Sequence, residues 1–151
     1  MAVWPNAMQL YGLTVAAAPA GEEGIFTTAG AVREPPDEQL LPAGSSLRVD
    51  LYWEVLHEMD QNYTVFVHAL NSEGTILGQH DGWPADAHRP TSVLPAGEVF
   101  RDVHYLTLSE PPMLSDITLD GIELRIGLYE SLDGEILQDS SQQDYVEIPI
   151  R

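Results

Sequence analysis

Ser46-Leu47-Arg48-Val49-Asp50-Leu51-Tyr52-Trp53-Glu54-Val55-Leu56 is the stretch whose reading decides the fold. Leu47, Val49, Leu51, Trp53 and Val55 share one parity, and Arg48, Asp50, Tyr52 and Glu54 share the other. In a β-strand successive side chains point to opposite faces, so this alternation predicts a strand with an apolar face in a core and a polar face in water. Pro42-Ala43-Gly44 before it is a turn signal.

Working outward, Tyr63 to Leu70 is apolar on both parities, as a strand covered on both faces would be. We place it centrally. Asn71-Ser72-Glu73-Gly74 predicts a tight turn, and Thr75 to His80 its hairpin partner. Val99 to Leu108 reads as a further strand, stopped by Pro111-Pro112. Ile122 to Tyr129 alternates again, with Ile122, Leu124, Ile126 and Leu128 inward. Asp133-Gly134 signals a type I′ hairpin, and Ile136-Leu137 and Tyr145 to Ile150 complete the set. Towards the N-terminus, Gln9 to Val15 reads as a strand, and Ile25-Phe26-Thr27-Thr28 as a short one inside an irregular excursion over 18–37. Turn residues punctuate the chain every 8–15 residues, and no segment sustains a helical period. The expectation is one all-β domain over 1–151, an antiparallel β-sandwich of jelly-roll or immunoglobulin-like type with about eight strands.

The chain has 151 residues, with 24 acidic and six basic side chains and a formal charge of −18. All six basic residues are arginines, and there is no cysteine. Nucleic-acid binding needs cations against phosphates, so this charge argues against it, and against anionic lipid surfaces for the same reason. Neutral ligands such as sugars, bound cations and basic proteins fit the charge. No run approaches the ~20 apolar residues of a membrane helix, so direct membrane insertion is not expected. The start, Met1-Ala2-Val3-Trp4-Pro5-Asn6, lacks the basic region of a secretory signal. The expected address is cytoplasmic, or extracytoplasmic if this is a piece of a membrane protein. The acids fall mostly on turns and outward positions such as Asp50, Glu54, Glu73, Asp133 and Glu135, which reads as a solvating surface.

No catalytic motif is legible. Ser92 in Pro90-Thr91-Ser92-Val93 is no nucleophile elbow. His68, His80, Asp81 and His104 would suit zinc if their strands converged, but no local His pair fixes such a site, and a core histidine is the plainer reading of His68. Asp60, Asn71, Glu73, Asp81, Asp86, Asp133 and Glu135 are oxygen donors that would suit calcium, without an EF-hand pattern. Turn chemistry accounts for them equally well. No cofactor is expected, calcium being the alternative.

The long segment Asp81 to Gly97 is a candidate binding element, since loops of this length are uncommon in compact domains. It holds Trp83, His88, Arg89 and Thr91. A loop tryptophan beside Asp81, His88 and Arg89 would give a sugar an apolar platform and hydrogen-bonding neighbours. The competing reading makes Trp83 an anchor that pins the loop. His68 and His104 are added to this ligand set from the adjoining strands.

Leu51-Tyr52-Trp53, Asp60, Tyr63-Thr64-Val65-Phe66-Val67-His68, Asp81-Gly82-Trp83-Pro84, Pro90-Thr91-Ser92, Pro95-Ala96-Gly97-Glu98-Val99, Asp102 and Gly127-Leu128-Tyr129 follow one another in order. Together they resemble the soluble C-terminal β-sandwich domain of bacterial multi-spanning membrane glycosyltransferases of the dolichyl-phosphate-mannose–protein mannosyltransferase type. The likeness covers roughly Leu40 to Tyr129. It departs from the pattern at Pro19 to Pro36, which looks inserted, and at Pro111 to Gly121, which is long. The resemblance implies a non-catalytic, extracytoplasmic accessory module that binds glycan or a protein partner, with the chemistry elsewhere. A purely structural domain is the alternative, and a metal-dependent hydrolase a more distant one.

Overall fold

The structure is a computed structural model and describes residues 2–18, 27–29, 40–41, 44–84, 89–109 and 117–150. Most of the expected excursion over 18–37, His88 and Pro111-Pro112 lie outside the described residues. Among the described residues no helix is long and apolar enough to cross a membrane.

Among the described residues twelve strands form two five-stranded antiparallel sheets and a two-stranded ribbon. The first sheet holds β1 (Ala2–Val3), β2 (Met8–Ala18), β3 (Thr27–Ala29), β5 (Ser46–Val55) and β8 (Val99–Thr107). Its order is β1-β2-β5-β8, with β3 also on β2. The second holds β6 (Tyr63–Leu70), β7 (Ile76–Gly82), β10 (Glu123–Glu130), β11 (Ile136–Leu137) and β12 (Val146–Pro149). There β6 lies between β7 and β10, and β11 and β12 both pair with β10. The ribbon pairs β4 (Leu40–Leu41) with β9 (Ile117–Thr118). This is the expected β-sandwich.

The alternation of β5 holds: Leu47, Val49, Leu51 and Trp53 are fully buried, and Val55 is 1% exposed. They meet Val65, Val67 and Ala69 of β6 and Leu124, Ile126 and Leu128 of β10 in one core. Burial of such stripes is the main force holding the sheets face to face, at about 25 cal/mol per Å² of apolar area. Trp4 and Trp53 pack at 5.6 Å between ring centroids. The Trp4 indole N–H donates to Leu137 O, whereas Trp53 Nε1 has no hydrogen-bond partner among the described residues.

Four local expectations need correction. Asp50 was placed in water but is 7% exposed: Arg48 donates to both of its carboxylate oxygens, at 2.7 and 3.0 Å, which lowers the cost of burying it. Asp133-Gly134 does not form a type I′ turn, which needs positive φ at both central residues; here Gly134 has φ 74° and Asp133 is not in that region. A longer loop runs from Glu130 to Glu135, closed by Glu130 N–H on Glu135 O and Gly134 N–H on Glu130 O, both 2.8 Å. Tyr145 precedes β12, which begins at Val146. Finally, β7 runs through Gly82, so Asp81 belongs to a strand, paired with Phe66, and the loop begins at Trp83. The Asn71 turn is as expected: Gly74 takes φ 81°, and Asn71 Oδ1 accepts from Glu73 and Thr75 N–H.

The sheets also meet along one seam, where β7 of the second approaches β8 of the first. Ser109 N–H and Oγ–H both donate to Leu77 O, at 2.7 and 3.0 Å. Gly78 permits this approach, because a Cβ there would fall 2.7 Å from Thr107 O. Gly78→Ala is therefore expected to destabilise the domain by about 1–3 kcal/mol through overpacking against backbone. Gly12→Ala, whose nearest neighbour would be Tyr52 at 3.8 Å, is the control and should change little. Urea midpoints of the two variants check this; equal midpoints would contradict the seam geometry.

Candidate functional site

Cross-strand register carries a second set of side chains to the outer face of the second sheet. Phe66 pairs with Gly127 on one side and Asp81 on the other, and His68 with Arg125 and Gln79. Tyr129 pairs with Thr64, and Arg125 with Glu147 of β12. These residues bound a groove of about 390 Å³ lined by Phe66, His68, Asp81, Arg125, Tyr129, Gly134, Ile136 and Tyr145. That lies within the roughly 300–1,000 Å³ of small-ligand sites.

The floor is aromatic. Phe66 is only 6% exposed, and it stacks on Tyr129 at 6.1 Å with 22° between the planes. Phe66 can lie this low because Gly127 has no side chain: a Cβ there would fall 2.3 Å from Phe66 Cζ and 2.8 Å from Asp144 O. The Arg125 guanidinium lies 4.7 Å from the centre of the Tyr145 ring, and its Nε–H donates to Glu147 at 3.2 Å. One wall is polar. The Tyr129 hydroxyl donates to Asp81 Oδ2 at 3.0 Å, and His68 Nε2 lies 3.7 Å from Asp81 Oδ1. Burial and the Asp81 carboxylate both raise the Tyr129 phenol above its ordinary range, so it stays a donor at neutral pH.

The six candidate residues separate. Asp81 and His68 line the groove. Trp83 is 39% exposed and is not among the lining residues. Its indole N–H donates to Ser131 Oγ at 3.3 Å, and Ser131 in turn bonds Thr64 at 2.9 Å. Trp83 therefore lies off this groove and is held by a polar contact at its edge rather than by burial. The anchor of the loop is Thr91, fully buried in the turn Thr91–Val93. Its hydroxyl donates to Gln61 O at 2.7 Å and accepts from Tyr63 N–H at 2.9 Å. Arg89 forms a forked pair with Glu98, with Nη2–Oε2 at 2.9 Å, and so ties the middle of the loop to its C-terminal end, and it is not among the groove-lining residues. His88 lies outside the described residues.

His104 faces the other way. Its register partner is Val49, a core residue, and it is 1% exposed between the sheets. Asp102, also 1% exposed, accepts from or pairs with His104 Nε2 at 2.7 Å. His104 Nδ1 lies 2.8 Å from Nδ1 of His80, whose register partner Val67 is also a core residue. The zinc reading is thereby corrected: His68 and Asp81 lie outside the second sheet, while His80 and His104 lie between the sheets. Among the described residues no group of three or more His, Asp or Glu side chains is placed to hold a metal ion. Of the calcium candidates, Asn71 Oδ1 and Asp133 Oδ1 are taken up by backbone N–H groups of their own turns.

Two features of the site were missed in the sequence. Phe66, Tyr129 and Tyr145 form the groove, and only strand register brings Tyr145 to Phe66. Asp102 and His104 did leave a signal: Phe100, Asp102, His104 and Leu106 share one parity, which sets two polar residues within an apolar stripe.

The raised phenol gives a pH test. A phenol with a raised folded value contributes stability that is present below the unfolded value of about 10 and is lost as pH rises through the folded one. Asp81→Asn removes the carboxylate that opposes ionisation, so the Tyr129 ring resonance should titrate at lower pH than in the parent. An unchanged titration would mean that Asp81 and Tyr129 do not interact in solution.

No family model matches the chain. No curated protein matches it either. Among solved structures, a beta-glucuronidase from glycoside hydrolase family 2 is similar to it at 11% identity and a TM-score of 0.46, over 78% of this chain and 10% of that one. A likeness at that level carries nothing about activity or substrate, and this chain spans only about 10% of that protein's length.

Proposed function

We propose that the domain is a non-catalytic module that binds a neutral saccharide in the outer groove of the second sheet. The observation that carries this reading is the pairing of an aromatic floor, Phe66 and Tyr129 with Tyr145, with a hydrogen-bonding wall of Asp81 and His68. A pyranose presents the same two chemistries: an apolar C–H face that stacks on rings, and hydroxyls that bond carboxylate and imidazole. The net charge of −18 favours neutral over anionic sugars. The sequence resemblance adds a setting: an accessory domain of a membrane glycosyltransferase, facing the extracytoplasmic side, whose ligand is a glycan product or acceptor.

A second reading takes a protein partner at the same face. Leu132, 95% exposed, lies in the turn before β11, and Ile136, 45% exposed, lines the groove, and such apolar side chains suit a protein contact.

A glycan array probed with the full chain tests the first reading. A neutral glycan should be retained, and Tyr145→Ala should weaken it by roughly 3–10-fold, the loss of one aromatic contact worth about 0.5–1.5 kcal/mol. An array without a neutral binder, or a Tyr145→Ala variant of unchanged affinity, would sink it. Retention of a protein partner that Leu132→Ser abolishes would favour the second reading.

A further inference from the structure

Three polar groups that the groove does not use form a chain across the seam. It runs from Asp102 through His104 on β8 to His80 on β7, with contacts of 2.7 and 2.8 Å. Asp102 and His104 are each 1% exposed, and His80 is half-buried. β8 and β7 are edge strands of different sheets, so the histidine pair ties one sheet to the other.

The contact counts protons. A carboxylate at Asp102 takes the Nε2–H of His104, which leaves His104 Nδ1 to accept from His80 Nδ1–H. One further proton, on His80 Nε2, breaks none of these bonds. A second proton puts N–H groups on both facing nitrogens at 2.8 Å, and the bond is lost. The folded pair therefore holds one proton fewer than two free imidazoles do in acid.

The surroundings agree. From β8 His80 faces His104 and Asp102, and from β6 it faces the uncharged Val67. Asp81 is its neighbour on its own strand. Burial is the main cause that lowers His80 below the ordinary histidine range and His104 the second, with Asp102 and Asp81 opposing. Below the unfolded value of about 6.5 the unfolded chain then binds more protons than the folded one. The stability this group contributes is present above that value and is lost as pH falls through the folded value.

The geometry points to an acid-operated latch: double protonation of the His80–His104 pair releases β7 from β8 and loosens the outer groove. The groove is affected because β7 carries His80 on its inner face and Asp81, the partner of Tyr129, on its outer face. Trp83, tied to Ser131, follows on the same strand end. The functional meaning of that second effect rests on the saccharide reading; the latch itself does not.

Amide exchange and imidazole titration of the full chain by NMR test the latch. Between pH 7.5 and 5.0 the protection factor of Ser109 N–H, bonded to Leu77 O, should fall by about an order of magnitude, while β5 and β10 keep theirs. The Trp83 indole and Tyr129 ring resonances should move with the same midpoint as the loss of Ser109 protection. His80→Gln, which keeps a donor without titrating, should flatten the response. Equal Ser109 protection at both pH values would overturn the latch. So would a His80 imidazole that titrates at the ordinary histidine value of about 6.5 in the parent protein, a readout that needs no variant to fold. A seam that responds while Trp83 and Tyr129 stay still would remove the coupling to the groove. Absence of any saccharide binder at pH 7.5 would count against the groove's ligand alone.

Discussion

The close approach of Phe66 to the bare α-carbon of Gly127 is the constraint on which the outer face depends. A central strand in a sandwich has one face in the core, and its other face needs cover or polar residues. Among the described residues no strand layer covers β6, and its outer face alternates polar Thr64 and His68 with apolar Phe66 and Leu70. Its Phe66 is buried all the same, because Gly127 lets the ring lie flat against β10 and Tyr129 stacks beside it. Thr64, 8% exposed, is covered at the same time through Ser131. The groove follows from this packing: the ring that would otherwise stand up and fill it is held down as its floor.

The charge of the chain takes on structure in the same way. The acids do form a solvated surface, but some are used as partners of arginine. Arg48 engages both oxygens of Asp50 through Nε and Nη2, and Arg89 engages both oxygens of Glu98. Arg125 bonds Glu147 while stacking on Tyr145. A planar fork makes such two-point contacts and stacks on a ring at the same time, and an ammonium has no fork with which to do both. That gives a physical use for arginine at these positions in a chain without lysine. The exposed pairs add little stability individually, so their value is in fixing direction: at Asp50, and where Arg89 in mid-loop meets Glu98.

The fold was legible where one face of a strand is buried and alternation is strict. Ser46–Val55 and Glu123–Glu130 are read from the sequence without help from their neighbours. β6 was legible as a covered strand, but not what covers it, because Gly127 and Tyr145 reach Phe66 only through the register of β10 and the lie of β12. Trp83 drew attention as a loop aromatic, yet the strand extended further than its Asp-Gly pair suggested, and Thr91 took the anchoring role. His104 stands in the expected ligand set, and a histidine taken singly carries no sign of which face it occupies. Weighed by parity with Phe100 and Leu106, it belongs inside. Tertiary pairing, rather than local propensity, decided each of these cases.

The central claim is that the outer face of the second sheet is where a ligand binds. Its most direct measurement is the map of amide and aromatic-ring chemical shifts of the full chain as neutral manno- or gluco-oligosaccharide is added. The account predicts changes confined to Phe66, His68, Asp81, Tyr129 and Tyr145, with Tyr52 and Tyr105 of the first sheet silent. Changes centred on the first sheet, or none at millimolar sugar, would contradict it.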